Sequence, residues 1–221
     1  MSVLAPALSL PAVLPSPDCP LCPRLAAFRH AQRMAHPDWF NAPVPPFGDA
    51  AAELLIVGLA PGLKGANRTG RPFTGDHAGE LLYATLRKFG LAEGDYDADP
   101  DDGLTLNRVR VTNSVRCVPP QNRPGSDEIV ACRHFLSEEI AAMPHLRAIL
   151  ALGSIAHDAV LSALGVRRAH FRFAHGALHS LPDGRFLVDS YHCSRLNTNT
   201  GKLTVVMFEA VFSRLASLLD P

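Results

Sequence analysis

The sequence reads as an α/β protein, a three-layer α/β/α sandwich around a central, mostly parallel four-stranded sheet. Three observations predict this. Four continuous apolar runs, at 53–59, 108–115, 146–152 and 185–191, have the length and unbroken apolarity of strands buried on both faces. Helical periodicity fills the intervals at 77–89, 127–142 and 155–164, and an amphipathic helix closes the chain at about 202–219. Strand alternating with helix along 221 residues is the pattern of crossover connections in one sheet.

Taken in order, residues 1–17 are apolar and proline-rich without a positive n-region, which reads as a disordered leader and not as a signal peptide. Residues 18–221 then read as a single domain. Cys19-Pro-Leu-Cys22 opens a short segment whose helix spans 23–35, and a proline-rich connector follows at 36–50. The first strand delivers the loop Gly58-Leu59-Ala60-Pro61-Gly62, which continues to Asp76. The second ends in Thr112-Asn113-Ser114-Val115-Arg116-Cys117. Asp183-Gly184 is a turn signal that pairs 171–181, as a hairpin arm, with the last strand. That strand delivers Tyr191-His192-Cys193-Ser194-Arg195-Leu196-Asn197-Thr198. In open α/β sheets ligands bind beyond the carboxyl ends of the strands, where these loops fall.

A hydrophobic fraction of 47% and a charged fraction of 19% suit a soluble globular enzyme. No apolar run approaches the ~20 residues of a membrane helix, so the expectation is a soluble, cytoplasmic protein with no membrane partner. Net charge is +0, but the charges are segregated. Residues 103–126 hold Arg108, Arg110, Arg116 and Arg123 without an acid, and 159–182 hold Arg167, Arg168 and Arg172 with three histidines. Acids gather at 93–102. The pattern fits either a phosphate-binding face or charges on separate solvated faces.

Four cysteines come as two pairs, Cys19 with Cys22 and Cys117 with Cys132. In a cytoplasmic chain this favours a metal over disulfides, and four thiolates serve zinc and a cubane cluster equally. Cys132 on a helix also reads as a small buried residue. Cys193, inside the last loop, reads as a compact loop residue and not as a ligand.

The loop from Gly58, the strand end at Asn113 and the loop from His192 resemble the motifs of the uracil-DNA glycosylase superfamily, most nearly its iron–sulfur family five (UDGb type). The resemblance runs from Cys19 to the last helix. It implies a DNA-repair glycosylase acting on double-stranded DNA containing uracil. The apolar Leu59-Ala60 edge adds the expectation that another deaminated base, for instance hypoxanthine, is also accepted. It also implies a structural [4Fe–4S] cluster on Cys19, Cys22, Cys117 and Cys132. One departure stands out: several superfamily members carry an Asp, Asn or Glu where this chain has Leu59-Ala60, which leaves the water-activating group open.

Base excision needs a slot that holds the extruded base, and Gly58, Leu59 and Ala60 would form one wall of it. Phe73 is the candidate stacking platform or, alternatively, a core residue. The Asn113 amide offers the donor and acceptor that pair with a uracil edge. His192 is the candidate donor to charge developing on the leaving base, a task a neutral imidazole performs. Asp76 either orients the attacking water or caps the helix from residue 77. Leu196 stands where superfamily members carry an apolar wedge, with Arg195 and Asn197 beside it at phosphates or the minor groove. Gly58, Gly62, Gly65 and Gly70 would let the backbone approach DNA closely, and Arg68, Arg71, Lys64 and Lys202 would meet phosphates. With no lysine read as a Schiff base, the expectation is a monofunctional glycosylase, and a monomer because the DNA is itself the large partner.

Two other classes compete. The Gly-Leu-Ala-Pro-Gly loop before a helix resembles a phosphate cradle, but it lacks both the P-loop and the Rossmann glycine patterns. A non-catalytic binder of uracil-containing or single-stranded DNA would keep the fold without turnover.

Overall fold

The computed structural model describes residues 14–220; most of the expected leader, 1–13, lies outside the described residues. Helix α1 (Pro23–Ala35) precedes strand β1 (Leu54–Gly58), the short α2 (Ala66–Thr69) and α3 (His77–Lys88). A two-stranded ribbon of β2 (Ala92–Glu93) and β3 (Thr105–Leu106) leads into β4 (Val109–Asn113) and α4 (Ser126–Ala141). Then come β5 (Ala148–Leu152), α5 (Ser154–Ala163), β6 (Leu178–Ser180), β7 (Phe186–Ser190), α6 (Arg195–Asn199) and α7 (Val205–Leu219).

The main sheet has five strands in the order β4-β1-β5-β7-β6, not four. The four apolar runs form its parallel part, and the arm expected at 171–181 supplies the fifth strand, antiparallel to β7 with Leu178 opposite Val188. Because successive side chains in a strand point to opposite faces, each apolar run feeds two cores. Leu54, Ile56, Val111, Leu150 and Val188 meet Leu82, Tyr83 and Leu86 of α3 and Phe208, Phe212 and Leu215 of α7. Leu55, Val57, Ile149, Ala151 and Leu187 meet α4 and α5 on the other side.

From β1 the chain crosses to β4 on one side, and from β5 to β7 on the other. Connections therefore diverge between β1 and β5, which opens a crevice at the carboxyl ends. The 36–50 connector is pinned to the β4 edge, where Phe47 exchanges backbone hydrogen bonds of 2.9 and 2.8 Å with Val111. The last helix begins at Val205, later than expected, because the Thr204 hydroxyl caps it by accepting from the Met207 N–H at 3.2 Å. No helix among the described residues is long and apolar enough to cross a membrane.

Candidate active site

The carboxyl ends of β1, β4 and β7 open into one cleft of about 610 Å³. Leu59, Ala60, Phe73, Asp76, Asn113, His192 and Arg195 all line it, so the three loops singled out in the sequence converge. Gly58 pairs with Asn113 in register at the end of β1. A Cβ on Gly58 would lie 2.5 Å from the Asn113 Oδ1 and 2.6 Å from the Phe73 Cζ, so only glycine allows those two side chains to meet there.

Phe73 is both a core residue and a wall of the cleft. Its φ of 53° is left-handed, a conformation that costs a non-glycine residue on the order of 1 kcal/mol and needs outside support. The Tyr83 hydroxyl gives that support by donating to the Pro72 carbonyl at 2.6 Å, and the Tyr96 hydroxyl donates to the Phe73 carbonyl at 3.2 Å. The Phe73 ring lies 5.9 Å from the His192 ring at an interplanar angle of 28°. Asn113 is buried, and among the described residues its amide has no partner except the cleft.

His192 is half-buried just beyond β7, its backbone carbonyl accepting from the Asn197 Nδ2 at 2.8 Å. Burial holds the imidazole below its usual pKa, and the Asp76 carboxylate pulls in the other direction. The ring is therefore neutral at pH 7. Asp76 takes the capping role its sequence context allows and also faces the cleft. Its Oδ1 caps α3 by accepting from the N–H groups of Ala78 at 3.1 Å and Gly79 at 3.2 Å, while the residue also lines the cleft.

A family model of the uracil DNA glycosylase superfamily matches residues 45–216. The chain belongs to the uracil-DNA glycosylase superfamily. It is 46% identical over 209 residues to a Type-5 uracil-DNA glycosylase of Thermus thermophilus, covering 90% of this chain and 94% of that protein. A Type-5 uracil-DNA glycosylase of Pyrobaculum aerophilum is 41% identical over 204 residues, covering 90% of this chain and 88% of its own. One of Mycobacterium tuberculosis is 41% identical over 208 residues, covering 90% and 78%.

In this superfamily member all five cysteines are unpaired. Cys19, Cys22, Cys117 and Cys132 gather with Leu25, Val115 and Phe135 in one small cluster under α1. Burial raises the Cys22 and Cys132 thiols to about 11 and raises Cys117 as well, so as free thiols they stay protonated. The buried guanidinium of Arg29 donates to the Cys117 Sγ at 3.2 Å, and its Nε has no partner among the described residues. The Arg116 N–H points at the Cys132 Sγ at 3.4 Å. Two donors to the clustered sulfurs, one of them a buried cation, suit a thiolate-bound, negatively charged group, so the residues fit a metal cluster. Cys193 lies apart and fully buried, its Sγ donating to the Ala78 carbonyl at 3.4 Å, which excludes it from that set.

The structure corrects several sequence expectations. Of the two readings left open for the arginines at 103–126, a single basic face is the one their ion pairs disfavour. Arg108 pairs with Glu53 and Asp220, while Arg110 and the fully buried Arg116 converge on Glu139. Arg71 is also buried, forked onto Asp102 at 2.8 and 2.7 Å, and is unavailable to a phosphate. Asn197 turns inward to the His192 carbonyl and is not among the residues that line the cleft. The close approaches at the glycines are internal: Gly62 and Gly65 face the Asp76 carboxylate, and Gly70 lies under Phe40. Leu196 stands 72% exposed on α6, and Arg195 beside it is exposed at the rim. Lys64 is an exposed part of the cleft wall, whereas Lys202 sits 4.9 Å over the Tyr191 ring.

Proposed function

We propose that this protein is a monofunctional, monomeric DNA glycosylase that flips uracil out of duplex DNA and hydrolyses its N-glycosidic bond. The observation that carries this reading is the meeting of Phe73, Asn113, His192 and Asp76 in one cleft on the strand ends. Together they offer an aromatic face, an amide, a neutral donor and a carboxylate.

In this mechanism Leu196 fills the gap left in the stack, offsetting an unstacking cost of a few kcal/mol, and Arg195 holds a flanking phosphate. Leu59 and Ala60 wall the slot, Phe73 stacks on the base, and the Asn113 amide pairs with its N3–H and O4. The bond from the sugar C1′ to N1 breaks with its electron pair leaving on the base, and the charge develops towards O2. The neutral His192 donates a hydrogen bond to that oxygen, a contact worth about 10²–10³ in rate when preorganised. Water adds to C1′ and gives one proton to the Asp76 carboxylate, leaving an abasic site and a uracil anion. The anion takes a proton from solvent to become free uracil, and Asp76 returns its proton to solvent. Asp76 thus takes the part that Leu59-Ala60 cannot. Exposed Lys64 binds phosphate and forms no Schiff base.

Cys19, Cys22, Cys117 and Cys132 hold a [4Fe–4S] cluster that staples the N-terminal segment to the turn after β4. Bound there, the cluster supplies structure and takes no part in base excision. Residues 18–221 act as one unit. The apolar Leu59-Ala60 wall also admits hypoxanthine and other modified bases.

The test is a duplex with one U·G pair, incubated with the protein and then treated with hot alkali. Cleavage only after alkali, no borohydride-trapped adduct, and loss of activity in His192→Ala agree with the proposal. A retarded duplex that never yields an abasic site would make the protein a non-catalytic binder. Excision of uracil with no detectable excision of hypoxanthine would remove the claim of breadth.

A further inference from the structure

Away from the cleft, three side chains bring metal-ligating atoms within 4.8 Å of one another: His157 of α5, His179 of β6 and Asp189 of β7. Their side chains are 1%, 15% and 0% exposed. The Nε2 of His157 lies 3.0 Å from the Phe171 carbonyl, which can only accept, so that nitrogen carries the hydrogen. The other ring nitrogen, Nδ1, faces the Asp189 Oδ1 at 2.7 Å. If the imidazole is neutral, Nδ1 and the carboxylate are two acceptors in contact, and something positive must lie between them. The second carboxylate oxygen, Oδ2, is 3.1 Å from the His179 Nε2.

We propose that His157, His179 and Asp189 form a binding site for one divalent transition-metal ion of the zinc class. Two imidazoles and a carboxylate are a donor set for zinc and its neighbours, and a poor one for magnesium or calcium, which take oxygen ligands. The His157–Phe171 hydrogen bond is the outer contact that metal-bound histidines make, fixing the ring and its tautomer. Tetrahedral ligands at zinc stand roughly 3.3 Å apart. Here one Asp189 oxygen lies 2.7 Å from the His157 Nδ1, the other lies 3.1 Å from the His179 Nε2, and the donor atoms all fall within 4.8 Å, so rotation of the carboxylate and the His179 ring closes them on one ion. The Phe173 ring meets His157 edge-on at 5.7 Å, and the Phe171 ring meets His179 at 5.7 Å, so aromatic rings flank both imidazoles. The ion ties α5 to strands β6 and β7, and it has no part in base excision.

The experiment measures zinc in the protein as purified and then titrates cobalt(II) into it. Zinc found plus cobalt taken up should total one ion per chain. The cobalt spectrum should show d–d bands of nitrogen and oxygen ligation without the thiolate charge-transfer band that the cysteine group would give. In His179→Ala and Asp189→Asn, checked for an intact fold by circular dichroism, affinity should fall at least about tenfold. A total near zero in the wild type would overturn the proposal and leave a buried His157–Asp189 ion pair held by a proton. Uptake unchanged in His179→Ala, or a thiolate band, would overturn it equally.

Discussion

The Asp76 Oδ2 stands 2.5 Å from the point where a Cβ on Gly65 would lie, so the bare backbone of Gly65 makes room for the carboxylate. The other oxygen, Oδ1, caps α3. The two jobs separate by substitution. Asn caps a helix as well as Asp does, so Asp76→Asn should leave stability within about 0.5 kcal/mol of wild type. Its single-turnover excision rate should still drop by about 100-fold, because the amide takes no proton. Asp76→Ala loses both roles and should cost about 1 kcal/mol as well. Urea denaturation alongside single-turnover kinetics checks the pair. An Asp76→Asn enzyme of normal rate would reduce Asp76 to a cap.

Gly58→Ala tests the meeting of Phe73 and Asn113 from the opposite direction. Its new methyl would come within 2.6 Å of both side chains, so both must move. Crowding of this kind costs about 1–3 kcal/mol. Displacing the two groups proposed to contact the base should reduce kcat/KM at least about tenfold, and the melting temperature and excision rate report the two effects separately.

The ionisation of His192 follows from its surroundings. Burial lowers its pKa below the ordinary 6.5, and Asp76 partly offsets this. In labelled protein, with the resonance assigned by its loss in His192→Gln, the ring should titrate below pH 6.5. Asp76→Asn should move the midpoint lower still, since the opposing charge is gone. The folded-state value is depressed, so the unfolded chain takes the proton first. The stability His192 contributes is present above pH 6.5 and is lost as pH falls through the folded-state midpoint. A midpoint that rose in Asp76→Asn would contradict this arrangement.

How much of this could be read in the sequence depended on the range of the interaction. The four parallel strands were legible because each is an apolar run buried on both faces, and their ends then delivered Asn113 and His192 to the cleft. The edge strand β6 left a weaker trace, the Asp183-Gly184 turn, because Leu178 and Ser180 are exposed. Charge partners left no local trace. Arg71 and Asp102 lie 31 residues apart, and His157 and Asp189 lie 32 apart, so no spacing rule joins them. Asp76 was legible only as two competing roles, because the geometry that lets a capping carboxylate also face the cleft depends on Gly65.

The least legible feature gives the largest expected effect. Glu139 of α4 accepts from the Arg110 Nε at 2.7 Å and from the Thr112 hydroxyl at 3.0 Å, and it pairs with Arg116, whose side chain is 1% exposed like its own. Burial by itself would raise the carboxyl, but Arg116 and Arg110 outweigh it and hold it below the usual range. Thr112 directly precedes Asn113, so this network backs the strand end that carries the amide. Glu139→Gln would leave two arginines facing one neutral amide, and an uncompensated buried charge costs about 3–5 kcal/mol. Urea unfolding at pH 7 should show that loss. Acidification of the wild type should approach the same state, because a depressed carboxyl gives stability above its unfolded pKa that is lost as pH falls through the folded one. A Glu139→Gln protein as stable as wild type would mean that Arg110 and Arg116 find other partners.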